Sequence, residues 1–462
     1  MPNDVKTGTL IAWLPDLLYT GGQFHAGLAL VCEASGEIVR LARADELRDE
    51  KRMRLRTRAM LPGMINAHSH AFQRVLRGRT EYRTTNQADS FWTWREMMYS
   101  AATRLTPEDI YDASRMAFME MMLGGITSVG EFHYLHHAPD GTPYDDPNLL
   151  AKEVIRAAND VGLRIALLRV AYERSGFRTE ANPRQKRFIE KDPNVYLANL
   201  ERLTADVSGH TAWAGMAPHS VRAVGLDYLR DVIGFAGSHN LKVHMHVAEQ
   251  PAEVSACVEE YGRSPVALLE TEGLLSRNFT AVHAIHVTPK AVASFAKSGA
   301  LVCACPTTER NLGDGVVPAD EYLKHGVQIC LGTDSHAQID LLEDARELEY
   351  HLRLQKLERA VLSDSAARLF DCATMSGARS IDAPSGSLEV GKPADFFTVD
   401  LEDPSIAGAS NEHLLSNIVF SASRAAIREV VVGGKPIVSE GQHLLQQDVI
   451  EKFDELQKRL WS

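Results

Sequence analysis

The sequence lacks the features that would mark it for export, for a membrane or for a disulfide-rich fold. Its six cysteines form no C-x-x-C pair, and most lie in apolar runs, as reduced core thiols do. Residues 1–22 contain no basic region followed by a long apolar block, and no later segment is long and apolar enough to span a bilayer. These absences predict a cytoplasmic protein with no membrane partner.

Positive charge is also scarce. The 462 residues include 49 Lys and Arg against 61 Asp and Glu, a net charge of −12, which argues against a surface for nucleic acid. No Gly-rich phosphate loop follows the first buried run, and this weakens a doubly wound sheet, the alternative fold. An apolar fraction of 45% suits a globular chain with one large domain and a smaller one.

Between residues 59 and 385, short apolar runs alternate with longer amphipathic segments, of which 107–123 and 251–262 are the clearest predicted helices. Alternation of this kind predicts a parallel sheet in an α/β fold, and eight repeats predict a closed (β/α)8 TIM-like barrel. The eight runs are residues 59–67, 126–132, 163–171, 212–218, 241–248, 280–287, 300–305 and 326–332.

The two ends of the chain have a different texture. Residues 1–58 and 386–462 contain short strand-like runs separated by turn residues. We predict that they form one small β-sandwich domain beside the barrel of residues 59–385, with a closing amphipathic helix over residues 444–460. The basic stretch from Lys51 to Arg58 is expected to be a solvated surface.

The most informative short motif is His68-Ser-His70, which ends the first apolar run. In a strand, residues i and i+2 point to the same face, so both imidazoles can converge on one point. Alone, the pair would be more simply explained as two surface histidines beside a turn. The interpretation changes because further polar groups follow other predicted strands. They are Glu131, His133, His219, Arg222, His244, His246, Glu249, His283, His286, Asp334 and His336.

The carboxyl ends of barrel strands meet at one mouth, so these groups are expected to lie close together. His68, His70, His246 and Asp334 would satisfy zinc and leave a position open for water, although Fe²⁺ and Mn²⁺ accept similar ligands. Two-metal barrels of this type generally need a bridging group, often a modified lysine after the fourth strand. Here that position is His219, so one metal per chain is predicted.

Several other groups are assigned simpler roles. His244 is expected to point to the opposite face of its strand from His246. His133, His136 and His137 are predicted to lie in a polar surface loop. Cys303 and Cys305, although able to ligate a soft metal, are expected to be core residues, and Arg77 and Arg79 are expected to be surface groups.

These residues resemble the amidohydrolase superfamily, and His246-x-x-Glu249 is similar to its one-zinc deaminases. Four longer strings, HSHAFQR, DSFWTWREMMY, EFHYLHH and TTERNLGDG, resemble the formimidoylglutamate deiminases of histidine degradation. The resemblance implies hydrolysis of N-formimidoyl-L-glutamate to N-formyl-L-glutamate and ammonia, in a homodimer.

The resemblance also implies roles for particular side chains. The matching substrate contacts are Gln73, Arg95, Tyr134, His219 and Arg222. Arginine binds carboxylates bidentately, which agrees with a dicarboxylate substrate.

The expected mechanism is metal-assisted hydrolysis. Asp334 with His283 would orient a water molecule and accept its proton, and Glu249 would protonate the imino nitrogen before ammonia leaves.

Two rival functions remain open. A purine, pyrimidine or triazine aminohydrolase could use the same scaffold, but flat heterocycles would favour apolar and amide contacts over two arginines. A barrel used only for binding or assembly is the second, and the complete ligand set with Glu249 argues against it.

Overall fold

The structure, a computed structural model, describes residues 10–81, 91–179, 182–207 and 209–462. Residues 1–9 of the predicted amino-terminal domain, and Asp89 and Ser90 of one quoted string, lie outside this part of the chain. The described strands are β1 Ile11–Thr20, β2 Gln23–Ala26, β3 Leu28–Cys32, β4 Ile38–Arg43, β5 Lys51–Pro62, β6 Met64–Ser69, β7 Ile126–His133, β8 Arg164–Ala171, β9 Ala212–Pro218, β10 Val243–Val247, β11 Phe279–His283, β12 Leu301–Ala304, β13 Ile329–Leu331, β14 Phe396–Asp400, β15 Ile427–Val432, β16 Lys435–Ser439 and β17 Gln442–His443.

The helices alternate with the strands from β7 to β13, and one further helix follows the last strand, β17. They are α1 Phe91–Ala102, α2 Pro107–Leu123, α3 Leu149–Val161, α4 Pro193–Asp206, α5 Leu226–Ser238, α6 Pro251–Tyr261, α7 Pro265–Thr271, α8 Pro289–Ser298, α9 Pro306–Leu312, α10 Ala319–Lys324, α11 Leu341–Lys356, α12 Ser365–Ala373, α13 Met375–Ile381, α14 Leu414–Ser421 and α15 Gln446–Trp461. No helix in the described ranges is both long enough and apolar enough to cross a membrane.

The barrel consists of eight parallel strands that pair in chain order from β6 to β13. Its first and last strands meet through a parallel bridge between Ser69 and Asp334. The backbone N–H of Asp334 donates to the carbonyl oxygen of His68 at 3.0 Å, and that of His70 donates to Asp334 at 3.1 Å. The predicted (β/α)8 barrel is confirmed, and the doubly wound alternative is wrong because sequential strands are neighbours throughout.

The second sheet is mixed and uses both ends of the chain. Its order is β17-β16-β15-β14-β5-β1-β3-β4, with β2 also paired to β1. Antiparallel pairing of β14 with β5 joins the carboxyl-terminal strands to the amino-terminal ones. The predicted small β domain built from both ends is therefore confirmed.

The passage between the sheets differs from the sequence prediction. Residues 59–62 end β5 of the mixed sheet, and only Met64–Ser69 enters the barrel. Gly63 separates the strands, and a Cβ there would lie 2.2 Å from Oγ1 of Thr127, so only glycine allows this close approach. The chain therefore passes from the mixed sheet to the barrel at residue 63.

The basic stretch at residues 51–58 is also more structured than expected. It forms most of β5, with its outer residues exposed and Arg58 only 8% exposed. Arg58 is held among three carboxylates, from Asp400, Glu429 and Glu440. The predicted solvated surface is confirmed for residues 51–57, none of which is buried, and it is wrong for Arg58, because these acids come from the distant end of the chain.

The predicted helices are confirmed at 107–123, 251–261 and 446–461. Thr106 caps α2, accepting from the backbone of Asp109 while the Asp109 carboxylate accepts from the backbone of Thr106. The closing helix α15 packs on α2, where Nη2 of Arg115 lies 2.7 Å from Oδ2 of Asp448.

One buried ion pair joins the barrel to the mixed sheet. Nε and Nη2 of Arg164, at the start of β8, lie 2.7 and 3.1 Å from the carboxylate oxygens of Asp395, just before β14. Their side chains are 7% and 0% exposed. We expect Asp395→Ala to lower the free energy of unfolding by about 3–5 kcal/mol, because it leaves a buried guanidinium without its partner.

Denaturant unfolding measures this loss. Glu455→Ala, which breaks the exposed pair between Lys452 and Glu455, is the control and should leave unfolding unchanged. Equal effects of the two substitutions would contradict a dominant role for the buried pair.

Candidate active site and metal centre

The four predicted ligands meet at the carboxyl end of the barrel. Their ligand atoms all lie within 4.8 Å of one another, and all four side chains are buried. Nε2 of His246 lies 3.1 Å from Nε2 of His68, and Oδ1 of Asp334 lies 3.2 Å from Nε2 of His70. Three strand ends, of β6, β10 and β13, therefore place the ligands around one point.

The hydrogen bonds of the ring nitrogens that face away from the cluster show which nitrogen of His70 and of His246 carries the hydrogen. Nδ1 of His70 lies 2.9 Å from the carbonyl oxygen of Phe132, and Nδ1 of His246 lies 3.1 Å from that of His219. A carbonyl oxygen only accepts, so each Nδ1 carries the hydrogen and each Nε2 turns a lone pair inward. Histidines that ligate metals are oriented in this way, and the donor set fits a divalent cation.

Burial favours the uncharged histidines that a metal needs. It lowers the pKa of His68 to about 3. It also lowers that of His246 well below its usual value, with the nearby His219 and His68 adding to the effect. Burial alone would raise the pKa of Asp334, but its contacts with the side chains of His68 and His70 hold it well below its usual range. His68 and His246 are thus neutral imidazoles, and Asp334 is an anionic carboxylate.

The backbone at the ends of β10, β11 and β13 is strained. Five residues that are not glycine adopt positive φ angles there, each at a cost of about 1–3 kcal/mol. They are Ala248 (53°), His283 (68°), Ala284 (49°), Asp334 (45°) and His336 (58°). Such strain typically marks functional sites, where it turns side chains towards the reacting space.

Glu249 and His283 lie beside the four predicted ligands. Nε2 of His283 lies 3.6 Å from Oε1 of Glu249 and 3.7 Å from Oδ2 of Asp334. Burial raises the pKa of Glu249. Burial alone would lower the pKa of His283, but the charges of Glu249, Glu309 and Asp334 outweigh it and raise the pKa to about 10. Glu249 is therefore suited to exchange protons, and His283 to donate a hydrogen bond.

A pocket opens above the cluster. All five predicted substrate contacts line it, and Nε2 of Gln73 donates to the hydroxyl of Tyr134 at 2.8 Å. The lining residues are His70, Gln73, Phe91, Trp94, Arg95, Met98, Tyr99, Tyr134, Tyr172, Phe188, His219, Arg222, His246, Glu249, Leu312 and Asp334. His68 and His283 lie beneath this lining.

The two arginines of the pocket differ in their partners. Arg95, on α1, donates from Nε to the hydroxyl of Tyr99. Arg222, in the turn after β9, is 7% exposed, and its Nε and Nη1 have no hydrogen-bond partner within the described residues. Both guanidinium groups lie near the ring of Trp92, at 5.5 and 5.9 Å. Arg222 thus presents unused donors at the pocket.

Other pocket residues were not predicted from the sequence. Tyr99 and Tyr172 line the wall, and Nε2 of Gln185 donates to their hydroxyls at 2.7 and 2.6 Å. Tyr99 could have been found from its spacing, because it lies four residues after Arg95 on one helix face. No motif marks Gln185 or Tyr172.

The prediction of a polar surface loop at His133, His136 and His137 is wrong. His133 and His136 are 3% and 2% exposed, and His137 is partly buried. Nε2 of His136 lies 2.8 Å from the carbonyl oxygen of Val170. The loop packs inward because the backbone N–H groups of His136 and His137 both donate to the carbonyl of Arg187.

The remaining simple assignments can be compared directly with the structure. His244 lies outside the cluster, as predicted, and its Nε2 is 2.9 Å from the carbonyl oxygen of Ser380. The expected opposite face is wrong, because residues two apart on β10 point to the same face. Cys303 and Cys305 are core residues, also as predicted. Arg77 is exposed, as predicted for a surface group, although its Nη1 also lies 2.9 Å from the carboxylate of the buried Glu120.

Arg79, unlike Arg77, is partly buried and is therefore not a plain surface group. Its guanidinium lies over the ring of Trp461, 4.7 Å from the ring centroid. The terminal helix α15, which the sequence places far from this loop, supplies that ring.

Comparison with known proteins agrees with this geometry. Formimidoylglutamate deiminase of Pseudomonas aeruginosa is 40% identical over 393 residues, which cover 83% of this chain and 86% of that protein. A 5-methylthioadenosine/S-adenosylhomocysteine deaminase of Caldanaerobacter subterraneus subsp. tengcongensis is 27% identical, covering 86% and 85%.

Among solved structures, an amidohydrolase from Brucella melitensis superposes with a TM-score of 0.89 at 33% identity, covering 98% of this chain and all of that one. The model of the amidohydrolase family matches residues 59–437. This chain is therefore a hydrolase of carbon–nitrogen bonds, of the deaminase type, and belongs to the amidohydrolase family.

Proposed function

We propose that this protein hydrolyses N-formimidoyl-L-glutamate to N-formyl-L-glutamate and ammonia. The observation that carries the proposal is the buried guanidinium of Arg222, whose Nε and Nη1 lack partners among the described residues. Burying such a charge is costly unless a ligand supplies an anion. A carboxylate matches both donors of the guanidinium fork.

A second cation strengthens the preference for a dicarboxylate. Arg95 lines the same pocket, and its Nε donates to the hydroxyl of Tyr99, which carries no negative charge to neutralise the guanidinium. Two arginines opposite the ligand cluster suit the two carboxylates of a glutamate derivative. A purine or triazine offers no negative charge to either, and this disfavours the heterocycle alternative. The 40% identical relative from Pseudomonas aeruginosa supports the same substrate.

We propose that His68, His70, His246 and Asp334 hold one zinc ion per chain, with Fe²⁺ or Mn²⁺ as alternatives. Bound there, the metal would supply Lewis acidity and lower the pKa of water to ~7.

The protein's own side chains then carry out the proton transfers. Asp334 accepts a proton from the attacking water, and His283 orients that water through Nε2. Glu249 delivers a proton to the imino nitrogen, because an amidine nitrogen leaves readily only when it is protonated. One water is consumed, the carbon–nitrogen bond breaks, and ammonia and the formyl group result.

Three expectations from the sequence stay predictions beside this function. They are the homodimer, the cytoplasmic location and the division of the chain at residues 58 and 385. Sedimentation of the purified protein tests the first, and limited proteolysis tests the last.

Arg222→Ala tests the substrate assignment. We expect kcat/KM for N-formimidoyl-L-glutamate to fall about 10²–10³-fold, since truncating one partner of a buried, hydrogen-bonded charge pair costs about 2–5 kcal/mol. Metal content should not change, because Arg222 is not one of the four clustered residues. Ammonia release over a range of substrate concentrations measures the effect.

The matched control is Arg58→Ala, which removes an arginine of similar burial from the mixed sheet. It should reduce stability and leave kcat/KM unchanged. Unaltered kinetics of the Arg222 variant with the dicarboxylate would contradict the proposed substrate.

A further inference from the structure

The string TTERNLGDG contains a buried acid to which the mechanism above gives no role. Glu309 lies on α9, directly after β12, and is 1% exposed. Its Oε1 lies 2.9 Å from the backbone nitrogen of Cys305 and 3.2 Å from Nδ1 of His283. Glu309 does not line the pocket. It therefore reaches the reacting space only through another residue.

The contact with His283 fixes the direction of that imidazole. A carboxylate accepts hydrogen bonds, so Nδ1 of His283 carries the hydrogen that points to Glu309. Nε2 then faces Glu249 and Asp334, at 3.6 and 3.7 Å. This Nε2 is buried and has no hydrogen-bond partner among the described residues. It is thus free for a water or a substrate atom.

The backbone alone does not secure this orientation. His283 has φ 68° and Ala284 has φ 49°, both in a region that L residues rarely adopt. The Glu309 carboxylate bridges the strained end of β11 and the first turn of α9, since it accepts from His283 and from Cys305 together.

We infer that Glu309 is a positioning residue, which holds the His283 ring so that Nε2 points at the reacting atoms. The inference rests on the proposed part of His283 in hydrolysis and is independent of the substrate. Glu309 touches neither substrate nor metal ligand in this scheme.

Metal binding by the same atoms is an alternative that must be distinguished from the positioning role. His283, Cys305 and Glu309 offer ligand atoms close enough together for a metal ion. Cys305, however, packs in an apolar cluster with Ala67, Val282 and Cys303. Burial raises the pKa of its thiol well above the usual value, which disfavours the thiolate that a metal would need.

Glu309→Gln is the first test. The amide oxygen can still accept from Cys305, so the fold is kept, but an amide can also turn its NH₂ towards Nδ1–H of His283, which cannot accept it, and this releases the ring from its orientation. We expect kcat to fall about 10–100-fold, as for other outer contacts of catalytic sites. KM and the metal content of the holoenzyme should stay the same.

The combination with His283→Asn separates positioning from general support of the fold. If Glu309 acts only through His283, the double variant loses no more activity than His283→Asn alone. The low-field imidazole N–H signal of ¹⁵N-histidine-labelled protein, assigned by its absence in His283→Asn, should shift or vanish in Glu309→Gln. Glu349→Gln, another fully buried glutamate bound to backbone N–H groups, is the control and should keep kcat.

The outcomes distinguish this inference from the proposed function. An inactive His283→Asn with a fully active Glu309→Gln would overturn the positioning role and leave the mechanism standing. A fully active His283→Asn would overturn the proposed part of His283 itself. A second metal equivalent that Glu309→Gln removes would show a metal site instead of a positioning contact.

Discussion

Replacing His246 with alanine is expected to abolish metal binding and reduce ammonia release to background. His246 supplies the Nε2 that lies 3.1 Å from that of His68, and the other ligands come from separate strands. Loss of one of four ligands leaves three buried donors that no longer surround a cation. Because the proposed metal would supply the activation of water, a decrease of more than about 10³-fold in kcat is expected. Metal analysis and ammonia release on one sample measure both effects.

The strand itself provides the control for this substitution. His244 lies two residues earlier on β10, is fully buried and bonds to Ser380 outside the cluster. His244→Ala removes the same volume from the same strand and should cost stability while keeping metal and activity. Metal loss in both variants would show that general damage to β10, rather than a lost ligand, explains the result.

The second large effect is expected from Glu249→Gln. Glu249 is 6% exposed, lines the pocket and lies 3.6 Å from His283. Glutamine keeps the shape but cannot deliver a proton to the imino nitrogen. We expect kcat to fall about 10²–10⁴-fold, the range for a general acid or base. The metal content should be unchanged, since Glu249 is not one of the four clustered ligands.

Pre-steady-state kinetics refine the expectation for Glu249. With the acid removed, ammonia release becomes the slow step, and no burst of ammonia should precede the steady state. A kcat within about threefold of the unaltered protein would contradict the role of Glu249 in proton transfer.

The ligand cluster was predictable because every member carries its own local signal. His68 and His70 share a strand face, and His246 and Asp334 each follow an apolar run. The parallel barrel then brings strand ends together whatever the loops do. The structure places these four residues together, as the sequence predicts, because the barrel sets their positions and few other contacts are needed.

The supports of the site were not predictable, because each depends on residues distant in the chain. Gln185 reaches Tyr99, 86 residues away, and Glu309 reaches His283, 26 residues away. When a glutamine or a glutamate lies in a loop or a short helix, nothing in the local sequence indicates that its side chain has a buried partner.

Polar sequence was also a poor guide to exposure. From the sequence His136 resembles a surface residue, yet it is buried and hydrogen-bonded to a neighbouring strand. Arg58 lies in a basic run, yet it is buried by acids supplied from the other end of the chain. In both cases, satisfied hydrogen bonds offset the cost of burial.

The most direct test is a comparison of substrates on one sample of known metal content. Ammonia release would be measured from N-formimidoyl-L-glutamate, 5-methylthioadenosine, S-adenosylhomocysteine, adenosine, guanine and cytosine. We predict rapid release from N-formimidoyl-L-glutamate alone, with N-formyl-L-glutamate as the other product and about one metal ion per chain. Release from a nucleoside or a base, with none from N-formimidoyl-L-glutamate, would contradict the substrate assigned from Arg222 and Arg95.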